Sequence, residues 1–421
     1  MTSTTSVPTV DNEAAAAKLL SVSHALERIR ATLQPINGFE TVFLRSALDR
    51  VLYDDQRSPI DVPNYRNSAM DGYAIHFSDL QAQGEITLSV IGSAFAGQPF
   101  AGQVGSGEAV RIMTGAVLPE GADTVVMQEQ TVRDGDQLRI TTAHRQGDNV
   151  RGIGEDIARH SVVLQKGRRL TPADLGLLAS LGIAEVRVRR KLRVAFFSTG
   201  DELRSLGQAL GAGQIYDSNR YTLHGMLTHL GVELIDMGVI PDRREAVSDA
   251  FQSASAIADV LITSGGVSVG EADFVKETLD ALGQVNFWKI SMKPGKPLAF
   301  GKVGQTIFFG LPGNPVSAMA TFYQLVQPAL RQLMGATETL PLTLKVPCAT
   351  PLKKSPGRQD FQRGILERGD SGELTVRTTG HQGSHILSSM SHANCFIILP
   401  GEWGNVEVGT LVEVQPFDGL I

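Results

Sequence analysis

Three segments of the 421-residue chain constrain its fold most: "VAFFSTGDEL" (194–203), "DVLITSGGVSVGEADF" (259–274) and "TIFFGLPGNPVSAMATFYQLV" (306–326). Each is an apolar strand-like run, then a tight turn rich in Gly or Pro, then a helical stretch. Repeated along 191–336, this alternation predicts a doubly wound α/β domain with a parallel sheet and helices on both faces. In such a sheet the turns after the strands lie at its carboxyl edge, so the three turns can line one crevice. Gly265 and Gly266 permit close backbone approach, Ser264 and Ser268 offer hydroxyls, and the helix that follows presents unpaired N–H groups, the elements of a phosphate cradle. In "LPGNP", Pro312 and Pro315 stiffen the turn around Gly313, and Asn314 reads as the N-cap of the next helix.

Acids sit beside these turns: Asp201 and Glu202, Asp242 after "IDMGVIP", and Glu271 and Asp273. Carboxylates facing a phosphate would repel it unless a hard cation such as Mg²⁺ stands between them. The same acids also suit helix N-termini, where they compensate the dipole. Just upstream of the third turn, Lys289, Lys293 and Lys296 surround a Pro-Gly-Lys-Pro turn that could hold a compact oxyanion, although solvated surface lysines read the same way.

The flanking text differs in kind. A helix is expected from a Ser23 N-cap, with Leu26, Ile29 and Leu33 on one face. Residues 59–150 are short apolar runs broken by Gly and Pro, which predicts an inserted β-rich domain. "TPADLGLLASLG" predicts a helix with Thr171 as N-cap, Pro172 at its first position and Gly182 past its end, followed by the strand "AEVRVR". That segment is expected to return and pack with the first helix. The strands "LTLKVPC", "ELTVRTT", "CFIILP" and "LVEVQPF" predict a C-terminal β-domain over 337–421.

Composition narrows function by exclusion. With 38 Lys and Arg against 44 Asp and Glu, the net charge of −6 offers no global field for nucleic acid, so any anion must be bound locally. Cys348 and Cys395 have no CxxC spacing and read as buried thiols. Met1 to Ala17 resemble neither a signal peptide nor an anchor, which leads to an expectation of a cytoplasmic protein without membrane association. His381, His385 and His392 lie in a Gly/Ser-rich loop with no nearby thiolate or acid, so loop hydrogen bonding is a better reading than a metal site.

Taken together, "DVPNYRNSAMDGYAI", "AGQPF", "RIMTGAVLPEGADTVVMQE", "GEDI", "FSTGDEL", "GQIYDSNRY", "TSGGVSVGEADF", "KPGKPLAFG", "GLPGNPVSA", "GRQDFQRG" and "TGHQGSH" closely resemble the MoeA family, which includes the gephyrin E-domain. The likeness runs from about Ser23 to the C-terminus. It implies an elongated domain I from two segments (18–58 and 151–190), a β-rich domain II (59–150), an α/β domain III (191–336) and a C-terminal β-barrel, domain IV (337–421). It also implies insertion of molybdate into adenylated molybdopterin with Mg²⁺-dependent release of AMP. A homodimer is implied, with its cleft between domain III of one subunit and domain II of the other. Molybdopterin adenylyltransferase and molybdoenzyme assembly proteins are the partners it suggests.

By the same resemblance, Asp71, Thr114 and Asp156 match functional positions near domain II, and Glu202, Asp242, Asp273, Lys289, Lys293, Pro312 and Pro315 match those of domain III. Glu202, Asp242 and Asp273 are the expected metal ligands. Lys293 and Lys296, with Arg358 and Ser384 from domain IV, are expected to take molybdate. Arg66 replaces an Asp that is also common in the family. Two other readings are a molybdopterin adenylyltransferase, which the α/β unit alone resembles, and a scaffold like gephyrin; the flanking domains argue against the first and the absence of a long linker against the second.

Overall fold

The computed structural model describes residues 19–81, 86–265, 274–337, 340–369 and 372–417. Gly266, Ser268, Glu271 and Asp273 lie outside them.

The α/β domain holds a six-stranded sheet in the order Glu233–Ile240, Arg193–Thr199, Val260–Ser264, Thr306–Leu311, Pro297–Val303, Gly283–Lys289. The first four strands run parallel, as the alternation of strand and helix predicts. The last two join antiparallel, an edge that the strand and helix alternation does not specify. The cause is local: Gly304, at φ +61°, turns the chain between Val303 and Thr306, and a tight hairpin leaves no room for a helical crossover. Chain order reverses between the first and third strands of the domain, which puts the carboxyl ends of Arg193–Thr199 and Val260–Ser264 at a switch point.

Both faces of this sheet are buried. Val194, Phe196, Ile262 and Phe309 pack under the helix Ser218–Leu230 and the helical run that starts at Pro315. Ala195, Phe197, Leu261 and Phe308 pack on the opposite face under Arg244–Ile257 and Phe274–Leu282, with Phe251 edge-on to Phe197 at 5.6 Å between ring centroids. Such a ring pair contributes on the order of 1 kcal/mol beyond its buried area.

Two expectations about the first helix are corrected. It spans Val22–Thr32 with Ser21, not Ser23, as N-cap, its side chain accepting from the His24 N–H at 3.2 Å. Leu20 explains the shift: it is held extended by its N–H to the Lys289 carbonyl, so the helix can begin right after it. This helix also does not pack on Pro172–Ser180; Ala25, Ile29 and Leu33 join the α/β core against Gln327–Leu333.

Residues on either side of the inserted sheet are knitted together instead by strands, Phe39–Phe43 with Glu185–Arg189 and Gln56–Arg57 with Val162–Leu164. The helix Pro172–Ser180 carries the expected Thr171 cap as a full capping box with Asp174, a feature that contributes about 1 kcal/mol. The β-rich insertion is a second six-stranded sheet, with Gly72–Ile75 at its interior and small cores on both faces.

The C-terminal strands close on themselves. Leu374–Thr378, Gln359–Arg368, Cys395–Leu399, Leu411–Pro416 and Leu344–Pro347 pair in that order, and the bridge between Cys348 and Val376 joins the ends into a barrel. Both thiols are buried and unpaired, and burial pushes Cys395 up to about 12. The short strand Met292–Lys293 of the α/β domain adds to this sheet, pairing Lys293 with Asp360. Tyr323 reinforces that junction, its hydroxyl donating to the Pro416 carbonyl at 3.0 Å.

Candidate active site

Strand register brings the three turns together. Ser198, Ser264 and Leu311 are lateral neighbours at the ends of adjacent parallel strands. The Gly265 N–H donates to the Leu311 carbonyl, and a Cβ on Gly265, whose φ is +91°, would stand 2.7 Å from the Thr199 carbonyl oxygen. Only glycine fits there. Gly313 sits against it, its hypothetical Cβ 4.0 Å from the Gly265 Cα. Asn314 is the N-cap of the helix that opens with Pro315, yet its side chain makes no capping bond, so the N–H groups there are not covered by it. Ser264, Gly265, Pro312, Gly313, Asn314 and Pro315 therefore form one rim.

Sequence patterning missed the residue that ties this rim. Asn219, buried in the first turn of Ser218–Leu230, donates from Nδ2 to the Ser264 hydroxyl at 2.8 Å and to the Gly313 carbonyl at 2.7 Å. Its signal was the "YDSN" start of a helix capped by Asp217, but nothing in that text names partners 45 and 94 residues away.

Asp201, Glu202 and Asp242 gather at the opening. The Asp242 N–H reaches the Asp201 carboxylate at 3.4 Å, and burial, then the charges of Asp201 and Glu202, push the Asp242 carboxyl above the usual range. A carboxylate at Asp242 beside two others of the same sign is the kind of oxygen donor that a hard divalent cation takes. Among the described residues no three His, Cys, Asp or Glu side chains stand in metal-binding array. Asp273, the third ligand expected, lies outside them.

The cationic end forms where the barrel meets the α/β domain. Lys293 stands 3.6 Å from the buried Asp360 carboxylate, and Arg358 donates to the Met292 carbonyl at 3.3 Å, so Lys293 and Arg358 share one small region. Buried Lys354 shapes it from below, donating to the carbonyls of Ser355, Arg358, Gly401 and Trp403. Lys296 and Lys289 are exposed, and both serve through their carbonyls, to Ile290 and Leu20 respectively. Ser384 reaches the rim: its carbonyl accepts the Val316 N–H at 3.2 Å. Fully buried Arg363 holds that loop through Ser389 and the Gly383 carbonyl, and burial lowers its guanidinium to about 10. His381 offers its carbonyl to Arg363, and His392 closes the helix Leu387–His392 rather than lying in a loop.

Asp71 and Thr114 meet at the edge of the inserted sheet, just before the strand Gly72–Ile75 and just after Glu108–Ile112, where Thr114 donates from its N–H at 2.7 Å and its hydroxyl at 2.8 Å to one Asp71 oxygen. These two bonds hold Asp71 below the usual carboxylate range. Asp156 is exposed, its N–H on the Val62 carbonyl. No hydrogen bond or ion pair among the described residues joins the Asp71, Thr114 or Asp156 side chains to the α/β crevice.

Comparison with known proteins agrees with this architecture over nearly the whole chain. Residues 20–182 match the MoeA N-terminal region (domain I and II), 195–332 a probable molybdopterin binding domain, and 345–417 the MoeA C-terminal region (domain IV). A molybdopterin molybdenumtransferase of Haemophilus influenzae is 48% identical, covering 96% of this chain and 100% of its own. One of a Nostoc species is 36% identical over 86% and 85%. A crystal structure of a molybdopterin biosynthesis MoeA protein from Pyrococcus horikoshii superposes with a TM-score of 0.83 at 29% identity, over 95% of this chain and 100% of that one. The chain belongs to the MoeA family of molybdopterin molybdenumtransferases, transferases of molybdenum cofactor biosynthesis.

Proposed function

We propose that the chain inserts molybdate into adenylated molybdopterin and releases AMP with Mg²⁺, in a crevice completed by the inserted domain of a second copy, in the cytoplasm. The observation that carries this reading is the shared rim: one end of the crevice is a glycine and helix-terminus cradle suited to a pyrophosphate, and Ser384 links it to a domain whose other loops set Lys293 beside Arg358. Ser264, Gly265 and the turn Pro312–Pro315 would hold the phosphates, and Gly266 and Ser268 are proposed to take part as well. Glu202 and Asp242, with Asp273, would hold Mg²⁺, which supplies charge neutralisation to a pyrophosphate as it is cleaved.

Lys293 and Lys296, with Arg358 and Ser384, would hold the molybdate dianion while its oxygen ligands exchange for the two pterin sulfurs, and Lys289 would add positive charge at the substrate side. Asp71, kept ionised by Thr114, would accept a hydrogen bond or a proton from the pterin, with Asp156 near the domain junction. Placing Asp71 in the partner's crevice accounts for its separation from the cradle within one chain. An adenylyltransferase supplying the substrate and assembly proteins receiving the product would be the exchange partners. No helix among the described residues is long and apolar enough to cross a membrane.

The test follows AMP release from adenylated molybdopterin with and without molybdate. Molybdate-dependent release without ATP is expected. A requirement for ATP would indicate an adenylyltransferase, and no release at all would leave only a binding role.

A further inference from the structure

We infer that Asn219 is a positioning residue that fixes the Ser264 hydroxyl as a hydrogen-bond donor to a phosphate oxygen of the substrate and locks the two phosphate loops at one spacing. The inference rests on the function proposed above and adds how its cradle is set. The Gly313 carbonyl can only accept, so the Asn219 amide must face it with Nδ2, and that nitrogen's second proton goes to Ser264 Oγ. Ser264 is then an acceptor from Asn219, with its own proton to give. Nothing among the described residues takes that proton; Ser198 Oγ, on the neighbouring strand, is itself buried without a partner.

A second observation points to the same place. Asn219 is only 9% exposed, yet its Oδ1 is also a buried atom with no partner among the described residues. An unfilled acceptor at that depth, beside an unspent hydroxyl proton, marks polar groups completed by a ligand or its water. The two bonds also bridge loops so near each other that a Cβ on Gly313 would stand 4.0 Å from the Gly265 Cα, so losing them frees the loops to separate.

The experiment measures AMP release from adenylated molybdopterin for wild type, N219A, N219D, S264A and N219A/S264A, varying that substrate and molybdate separately, with thermal unfolding of each. N219A is expected to raise KM for adenylated molybdopterin about tenfold, the effect of one hydrogen bond to a charged group, while half-saturating molybdate is unchanged. The double variant should fall well short of the product of the single effects, because Asn219 acts through Ser264. N219D keeps the shape but cannot donate to Gly313 and draws the Ser264 proton to itself, so it should be worse than N219A. It carries the test if N219A does not fold. A folded N219A or N219D with wild-type KM, or single effects that multiply, overturns the inference alone. A wild type that releases no AMP overturns the proposed function and this inference with it.

Discussion

Thr114 satisfies one oxygen of Asp71 twice, through its backbone N–H at 2.7 Å and its hydroxyl at 2.8 Å. The backbone bond and then the side-chain bond favour the ionised carboxylate, desolvation opposes them, and the charge of Arg111 adds the smallest, favourable effect. A depressed carboxyl pKa gives an effect that is present above the ordinary value of about 4 and lost as pH falls through the folded value. T114V removes only the hydroxyl bond, so the Asp71 pKa should rise and the acid limb of the kcat/KM profile should move to higher pH. T114S should restore it. Coincident acid limbs for T114V and wild type would show that Asp71 does not govern that limb.

Mutual repulsion among Asp201, Glu202 and Asp242 predicts a cation-dependent stability. Added Mg²⁺ should raise the melting temperature of wild type at neutral pH, and D242N should lose most of that gain while being at least as stable without the cation. Calorimetry with and without Mg²⁺ decides it. Equal gains in wild type and D242N would remove Asp242 from the metal site.

Gly265 predicts a combined effect on fold and binding. In G265V the Cβ meets the Thr199 carbonyl oxygen and the φ of +91° resists a branched side chain, at a cost of about 1–3 kcal/mol. The folded fraction should bind adenylated molybdopterin poorly. Wild-type affinity with intact folding would remove this turn from the phosphate cradle.

Replacing both Lys293 and Lys296 with Ala should raise the molybdate concentration for half-maximal turnover by about tenfold or more, with substrate KM little changed. Lys293 shares its region with Asp360, so D360N should act in the opposite direction by leaving the ammonium unneutralised. Unchanged molybdate dependence in the double variant would make both lysines solvated surface groups.

Much of the architecture could be read because local text carries it. The strand, glycine turn and helix signals at Ser264–Gly265 and Leu311–Pro315 appear as expected, as does the Thr171 cap. The antiparallel edge was missed because Gly304 marks a hairpin that strand and helix alternation does not register. Ser21 and Ser23 are equivalent caps by sequence, and only the distant pairing of Leu20 with Lys289 chooses between them. The first helix was misplaced for a similar reason: its apolar face fits any core, and the partner that takes it begins at Gln327. Asn219, Lys354 and Arg363 were not singled out because each acts on groups brought near by the fold, several of them backbone carbonyls, which leave no trace in side-chain text.

The central claim, a crevice shared by two copies, is tested most directly by mixing inactive variants. Asp71 directly precedes the strand Gly72–Ile75 of the inserted sheet and Asp242 follows the strand Glu233–Ile240 of the α/β domain, so in a two-fold dimer with a shared crevice each cleft would take Asp71 from one subunit and Asp242 from the other. D71N and D242N homodimers should each be nearly inactive, since every cleft carries one defect. In a mixed dimer one cleft collects both substitutions and the other neither, so randomly reassociated equal mixtures should recover about a quarter of wild-type AMP release. No recovery, with subunit exchange confirmed by differently tagged chains, would contradict the shared crevice.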